Sequence, residues 1–218
     1  MELEDFVEKY GEPFSKLLGI DLQSRRKEEM VKWFLASILY GRPIRESTAT
    51  LTYRTFEAYG VVDVEGILST GWDGLVRILD EGGYTRYDFS TATKLLEVFG
   101  RLKSEYASDL WNLYDRSSDG SELEERLKGL GKGIGDTTVS IFLRDMRYVW
   151  PKARPNPSPL VRLAMEELDI DDLDKMAKRR GLDAVMLETA LLRLGKDFLK
   201  KGRKGDVKVV GTRRVRLS

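Results

Sequence analysis

An all-α protein is the fold class this sequence predicts, and three observations lead there. Apolar residues recur at helical spacing: Met30, Phe34, Ile38 and Leu39 share one face, and Ala92, Leu95, Leu96 and Phe99 share another. Glycine and proline fall between the periodic stretches, at Gly41-Arg42-Pro43, Gly60, Gly82-Gly83, residues 117–120, residues 151–159 and Gly181. Strand-like alternation is confined to residues 207–210 and 214–217, enough for a small C-terminal β-hairpin and no more.

The elements follow in order from this punctuation. Helix is expected around residues 30–39, over 48–59, at 75–79, over 92–99, 138–146 and 159–168, over Leu173–Arg180 and over 182–199. The segment Trp150-Pro151-Lys152-Ala153-Arg154-Pro155-Asn156-Pro157-Ser158-Pro159 must run extended, because each proline biases its predecessor away from the helical region. It is the expected seam between two lobes, one of residues 27–150 and one combining 1–26 with 151–218. There is no internal repeat, and 218 residues suit one compact domain or two small lobes.

Composition removes several chemistries. The chain has no Cys and no His, so disulfides, thiolate metal sites, all-Cys iron–sulfur clusters and His-based triads are excluded. A general acid, base or nucleophile must come from Asp, Glu, Lys, Tyr, Ser or Thr. One Gln (Gln23) and two Asn (Asn112, Asn156) among abundant Lys, Arg and Glu avoid thermolabile side chains and favour ion-pair networks, so a hyperthermophilic source is expected. No stretch reaches the ~20 apolar residues a bilayer requires, and Met1-Glu2-Leu3-Glu4-Asp5 is acidic where a signal peptide is basic; a cytoplasmic, nucleoid-associated protein is expected. The net charge of +1 hides an asymmetry, because residues 200–218 carry eight Lys/Arg and one acid, Asp206. That tail is +7 and the rest of the chain −6. A basic arm of this kind meets a polyanion or is simply a solvated end.

The most informative segment is Gly129-Leu130-Gly131-Lys132-Gly133-Ile134-Gly135-Asp136-Thr137, where a short helix ends at a glycine-rich turn and a second helix begins. Glycines admit positive φ and close approach of a ligand to the backbone, and the N–H groups of the new helix attract an anion. The same pattern also serves as a glycine-capped turn between packed helices.

With its flanks, this segment resembles the helix-hairpin-helix of the base-excision DNA repair superfamily, of the endonuclease III and adenine-mismatch glycosylase type. Residues 36–43, Ala-Ser-Ile-Leu-Tyr-Gly-Arg-Pro, look like the family's early helix end, where a polar side chain wedges into the DNA stack. Residues 81–87, Glu-Gly-Gly-Tyr-Thr-Arg-Tyr, are similar to the Gly-aromatic turn that opens the helix before the hairpin, and residues 191–199 look like the segment leading to the iron–sulfur loop. The resemblance runs from about Met30 to Leu199 and implies an all-α, two-lobe DNA glycosylase-like fold. It departs from the family at three points. Leu199 stands where iron–sulfur members have a Cys, Thr137 stands where bifunctional members have the Schiff-base Lys, and Pro157, placed by Arg162, stands where the catalytic Asp is expected.

The resemblance therefore implies a DNA base-excision repair protein acting on double-stranded DNA that contains abasic or damaged sites, as a monomer, without cofactor, metal or membrane. Cleaving an N-glycosidic bond needs a carboxylate to stabilise the developing oxocarbenium charge. Strand cleavage at an abasic site needs only an amine to form an imine. The expected activity is an abasic-site lyase, with Lys132, Lys196 and then Lys152 as candidate amines and Asp136 as a possible base or helix-dipole partner. Arg42 is the expected wedge, and Gly131, Gly133, Gly135, Thr137 and Lys152 are the expected DNA contacts. A glycosylase with its carboxylate relocated to Asp136 or Asp88, and a DNA-binding module without chemistry, are the alternatives.

Overall fold

Asp and Ser side chains write half of the α-helix starts. In the computed structural model, which describes residues 1–199, Asp63, Asp109, Asp119, Ser158, Asp172 and Asp183 each accept a hydrogen bond from a backbone N–H in the first turn of the helix they precede. Each such cap contributes about 1 kcal/mol. Helix makes up 70% of the described residues and strand almost none of them, which makes this an all-α protein. The β-hairpin expected near the C-terminus lies outside the described residues. Among the described residues no helix is long and apolar enough to cross a membrane.

The chain forms two compact units, one of residues 18–155 and one of residues 1–17 with 156 onward. The central unit carries α3 (Lys27–Tyr40), α4 (Glu46–Ala58), α5 (Val64–Glu81), α6 (Asp88–Tyr106), α7 (Leu110–Asp115), α8 (Gly120–Gly129) and α9 (Asp136–Met146). The terminal unit carries α1 (Leu3–Tyr10), α2 (Phe14–Leu17), α10 (Pro159–Glu167), α11 (Leu173–Arg180) and α12 (Ala184–Arg193).

The units divide at 17/18 and 155/156, where the sequence places the lobe bounds at 26/27 and 150/151. Residues 18–26 pack with the central unit, where the Asp21 N–H donates to Glu29 Oε2 at 2.9 Å and the Trp111 indole donates to the Arg25 carbonyl at 3.1 Å. Residues 151–155 do so too, because the Lys152 ammonium donates to the carbonyls of Tyr114 (3.0 Å) and Ser117 (2.6 Å).

α3 is the axis of the central unit. Met30, Val31, Trp33, Phe34, Leu35, Ala36, Ile38 and Leu39 are all buried, so the helix is enclosed on every side and its apolar stripe is far wider than one face. Phe34 meets Phe142 of α9 at 5.0 Å and Phe99 of α6 at 6.1 Å between ring centres, and the Trp33 indole donates to the Phe142 carbonyl at 3.0 Å. These contacts fix α6 and α9 against the same helix. α5 lies along α6 and is broken at Gly71, whose φ of 67° no helix interior accepts.

In the terminal unit Leu3, Phe6 and Val7 of α1 join Val161, Leu187, Ala190 and Leu191 in one core. The helix expected over 182–199 is interrupted: α12 ends at Arg193 and residues Leu194–Leu199 form a wider π-helical turn. Gly195 explains it, since a Cβ there would stand 2.1 Å from the Leu160 carbonyl oxygen. The backbone runs so close to α10 that a side chain cannot intervene.

Candidate nucleic-acid interface

Three turns of the central unit meet on one face. The first is the 130–135 turn between α8 and α9. Gly131 presses on α6, where a Cβ would lie 2.6 Å from Val98 Cγ2, and Gly133 has φ +87°. The Ile134 N–H closes the turn on the Gly131 carbonyl at 3.1 Å, and the Lys132 N–H donates to Glu97 Oε1 at 3.1 Å. Ile134 is buried and anchors the turn, whereas Lys132, Gly133, Gly135, Asp136 and Thr137 are exposed. α9 begins at Gly135 without a side-chain cap, so the N–H groups of its first turn face outward.

The second turn, 41–44, ends α3. A Cβ on Gly41 would lie 2.2 Å from Thr138 Oγ1, which places this turn against the first turn of α9. The third turn, 82–87, supports the second from below: the buried Tyr84 hydroxyl donates to the Leu39 carbonyl at 2.6 Å, and Thr52 Oγ1 donates to the Gly82 carbonyl at 2.9 Å. Burial pushes the Tyr84 hydroxyl well above its usual pKa, so it stays a donor.

Arg42 occupies the junction. Its guanidinium lies 5.4 Å from the centre of the Tyr87 ring, its Nη2 donates to Ser90 Oγ at 3.4 Å, and its Nε is buried without a hydrogen-bond partner. Beside it, Phe89 is 60% and Trp72 40% exposed, with ring centres 5.4 Å apart, and the Trp72 indole donates to Thr93 Oγ1 at 3.0 Å. An exposed aromatic pair beside a stacked guanidinium is a surface suited to unpaired bases.

The expected amines fall in different surroundings. Lys132 projects from the hairpin turn as an exposed side chain, without the burial expected of a working amine. Lys152 is committed inward: besides its two carbonyl partners it lies 4.2 Å from the centre of the Tyr114 ring, so it ties α7 to the 151–155 segment instead of presenting a charge to DNA. Lys196 belongs to the terminal unit, half-buried on the π-helical turn. The Asp136 side chain is 90% exposed and pairs with Lys128 at 2.9 Å, a hydrogen bond that with Glu125 holds the Lys128 ammonium above its usual pKa. Asp88 Oδ1 accepts from the Phe89 N–H at 2.6 Å. Among the described residues no group of three or more carboxylates is placed to hold a metal ion.

Sequence reasoning missed Lys94. This α6 side chain is only 5% exposed, and its Nζ donates to the Gly133 carbonyl at 2.8 Å, from directly beneath the hairpin turn. Burial, aided by the like charge of Arg42, brings its pKa down from 10.5 to about 8. The available signal was its register: Lys94 stands three residues after Thr91 and four before Val98, on the stripe that faces the core.

The hairpin glycines make a paired prediction. Ala at 133 must take a left-handed φ and put a Cβ 3.0 Å from Lys94 Cε, so Gly133→Ala is expected to lose about 1–2 kcal/mol of stability in urea denaturation. Gly135 has extended φ and open space around its Cβ position, so Gly135→Ala loses less. Equal losses would mean that the turn tolerates a non-glycine at 133.

No protein-family model matches this chain, and neither a curated protein nor a solved structure does.

Proposed function

We propose that this chain is a DNA-repair protein of the helix-hairpin-helix type that cleaves DNA at abasic sites by β-elimination. The observation that carries the reading is the meeting of the uncapped glycine hairpin with the Arg42 turn on one face. Backbone N–H groups at the start of α9 suit a DNA phosphate, and the guanidinium carried by the adjoining 41–44 turn suits the space left in the stack by an extruded nucleotide. The exposed Trp72–Phe89 pair adds a stacking surface beside it.

Two assays test it. Duplex DNA carrying one abasic site is bound more tightly than intact duplex, with an affinity that falls with salt by a slope of about −0.9 per neutralised phosphate. Incision in the presence of a chelator leaves a 3′ unsaturated aldehyde and a 5′ phosphate. A 3′ hydroxyl would instead mean hydrolysis, and bound but uncut DNA would mean a binding module. The relocated-carboxylate glycosylase has weaker support, because Asp136 is engaged by Lys128 and Asp88 by the start of α6.

Arg42→Ala is expected to reduce incision of duplex abasic DNA by roughly 5- to 150-fold, the ~1–3 kcal/mol of a lost stacking contact. Single-stranded abasic DNA has no stack to mend and is affected less. Equal losses on both substrates would make Arg42 a phosphate contact or a structural residue.

A further inference from the structure

We infer that Lys94 is the amine that attacks the substrate, forming an imine with the aldehyde of the ring-opened abasic sugar. The inference rests on the abasic-site reading and assigns its nucleophile to a position in α6, outside the hairpin.

Among the described residues Lys94 is the one buried lysine. Among these residues no carboxylate pairs with it, and its hydrogen bond is to the Gly133 carbonyl at 2.8 Å. A lysine buried for structure normally carries an anionic partner that repays the desolvation of its charge. Here the neighbouring charge is Arg42, of the same sign, so both the burial and the neighbour favour the neutral amine. With its pKa near 8, roughly a tenth of Lys94 is neutral at pH 7, against well under roughly a thousandth of an ordinary lysine. Position agrees with chemistry. A Cβ built on the exposed Gly133 would lie 3.1 Å from Nζ, so one residue of glycine backbone separates the amine from the outer side of the hairpin turn. Arg42, which would hold the gap open, is near enough to perturb it.

The chemistry closes without an oxidant or reductant. The neutral Lys94 amine adds to C1′ of the aldehyde, forming the N–C bond, and the carbonyl oxygen takes one proton from the amine and one from solvent and leaves as water, giving a protonated imine. Loss of the C2′ proton to water sends its electron pair toward the iminium. The C3′–O bond then breaks and the phosphate departs with the electron pair. Hydrolysis of the remaining imine consumes one water and returns the amine.

The test uses the full chain, duplex DNA with a single abasic site, and borohydride, whose hydride reduces the imine to a stable secondary amine. The adduct is digested and located by mass spectrometry. It is expected on Lys94. Lys94→Met and Lys94→Arg are expected to lose the adduct while retaining DNA binding, and Lys132→Ala to keep it. Incision by the wild type should rise with pH and level off near the Lys94 pKa of about 8. An adduct mapped to Lys132, Lys196 or another lysine overturns the inference and leaves the lyase reading intact; this holds even if the Lys94 variants fail to fold. A second arm uses formaldehyde with cyanoborohydride at neutral pH. If no DNA adduct forms but Lys94 is the fastest lysine to be methylated, the reactive amine stands and the abasic-site reading fails. If no DNA adduct forms and Lys94 reacts no faster than surface lysines, both fail.

Discussion

Phe142→Ala is expected to remove about 3–5 kcal/mol of stability, the usual range for deleting a fully buried aromatic ring. Phe142 is wholly buried on α9 between Phe34 of α3 at 5.0 Å and Trp150 at 5.5 Å. The substitution opens a cavity at the contact that holds the second hairpin helix to the axis of the central unit. Against a total stability of roughly 5–15 kcal/mol for a domain of this kind, that is about a fifth of the margin or more. Urea denaturation followed by tryptophan fluorescence reads it directly, because Trp33 donates to the Phe142 carbonyl and Trp150 packs on its ring. Phe89→Ala is the control. Its ring is 60% exposed, so the same chemical change should stay within about 0.5 kcal/mol. Similar losses from the two substitutions would mean that α9 is not held through Phe142.

That contrast also shows what a one-dimensional pattern reveals. The apolar periodicity placed α3, α4, α6, α9, α10 and α11, because each buries a stripe that repeats at helical spacing. It understated α3, whose Val31, Trp33, Leu35 and Ala36 are buried as well, since enclosure by several neighbours leaves no polar face to mark the period. α7 is six residues long and too short to show a period at all. The first half of α5 was obscured by Gly66, Gly71 and Gly74, and only the structure shows that Gly71 breaks the helix while the other two lie within it.

The candidate site was legible where it depends on backbone conformation and hidden where it depends on burial. Gly133 adopts the positive φ that its position in a glycine-rich turn suggested. Lys132 and Lys152 drew notice as cations near that turn and near the seam, yet one is exposed and the other is spent on two carbonyls. Lys94 drew none, because neither its desolvation nor its missing carboxylate is visible until α6 is packed against the hairpin. Residues 200–218, with their eight cations, lie outside the described residues.

At neutral pH Lys94→Met is expected to be more stable than the wild type by about 2 kcal/mol. In the folded protein the lysine titrates near 8, against 10.5 for an unburied one. At 1.36 kcal/mol per unit, holding the ammonium in place therefore costs about 3 kcal/mol. Methionine has similar length and no charge, so the variant escapes that cost and loses the hydrogen bond to the Gly133 carbonyl, worth about 1 kcal/mol. The sign of the pH dependence follows from proton counting. Between pH 8 and 10.5 the unfolded chain holds a proton at Lys94 that the folded chain has released, so wild-type stability rises with pH across that window. Below it the penalty is constant. Above it the penalty is gone, and the hydrogen bond should leave the wild type slightly ahead. The advantage of the variant should therefore shrink from about pH 8 upward and reverse a little below about pH 10, once the shrinking penalty no longer exceeds the hydrogen bond. Tyr40, raised to about 12 by burial, and Tyr53 and Tyr84, raised further, begin to destabilise both proteins once unfolded tyrosine ionises. They are common to both, as are the remaining lysines and the amino terminus, so they cancel in the difference curve. Paired urea denaturations between about pH 6 and 11 measure it. A difference that does not change with pH would mean that the Lys94 charge is not destabilising, and the argument for a neutral amine beneath the hairpin would go with it. A difference that closes as described would mark Lys94 as a position where stability is given up for reactivity, the trade expected of a buried nucleophile.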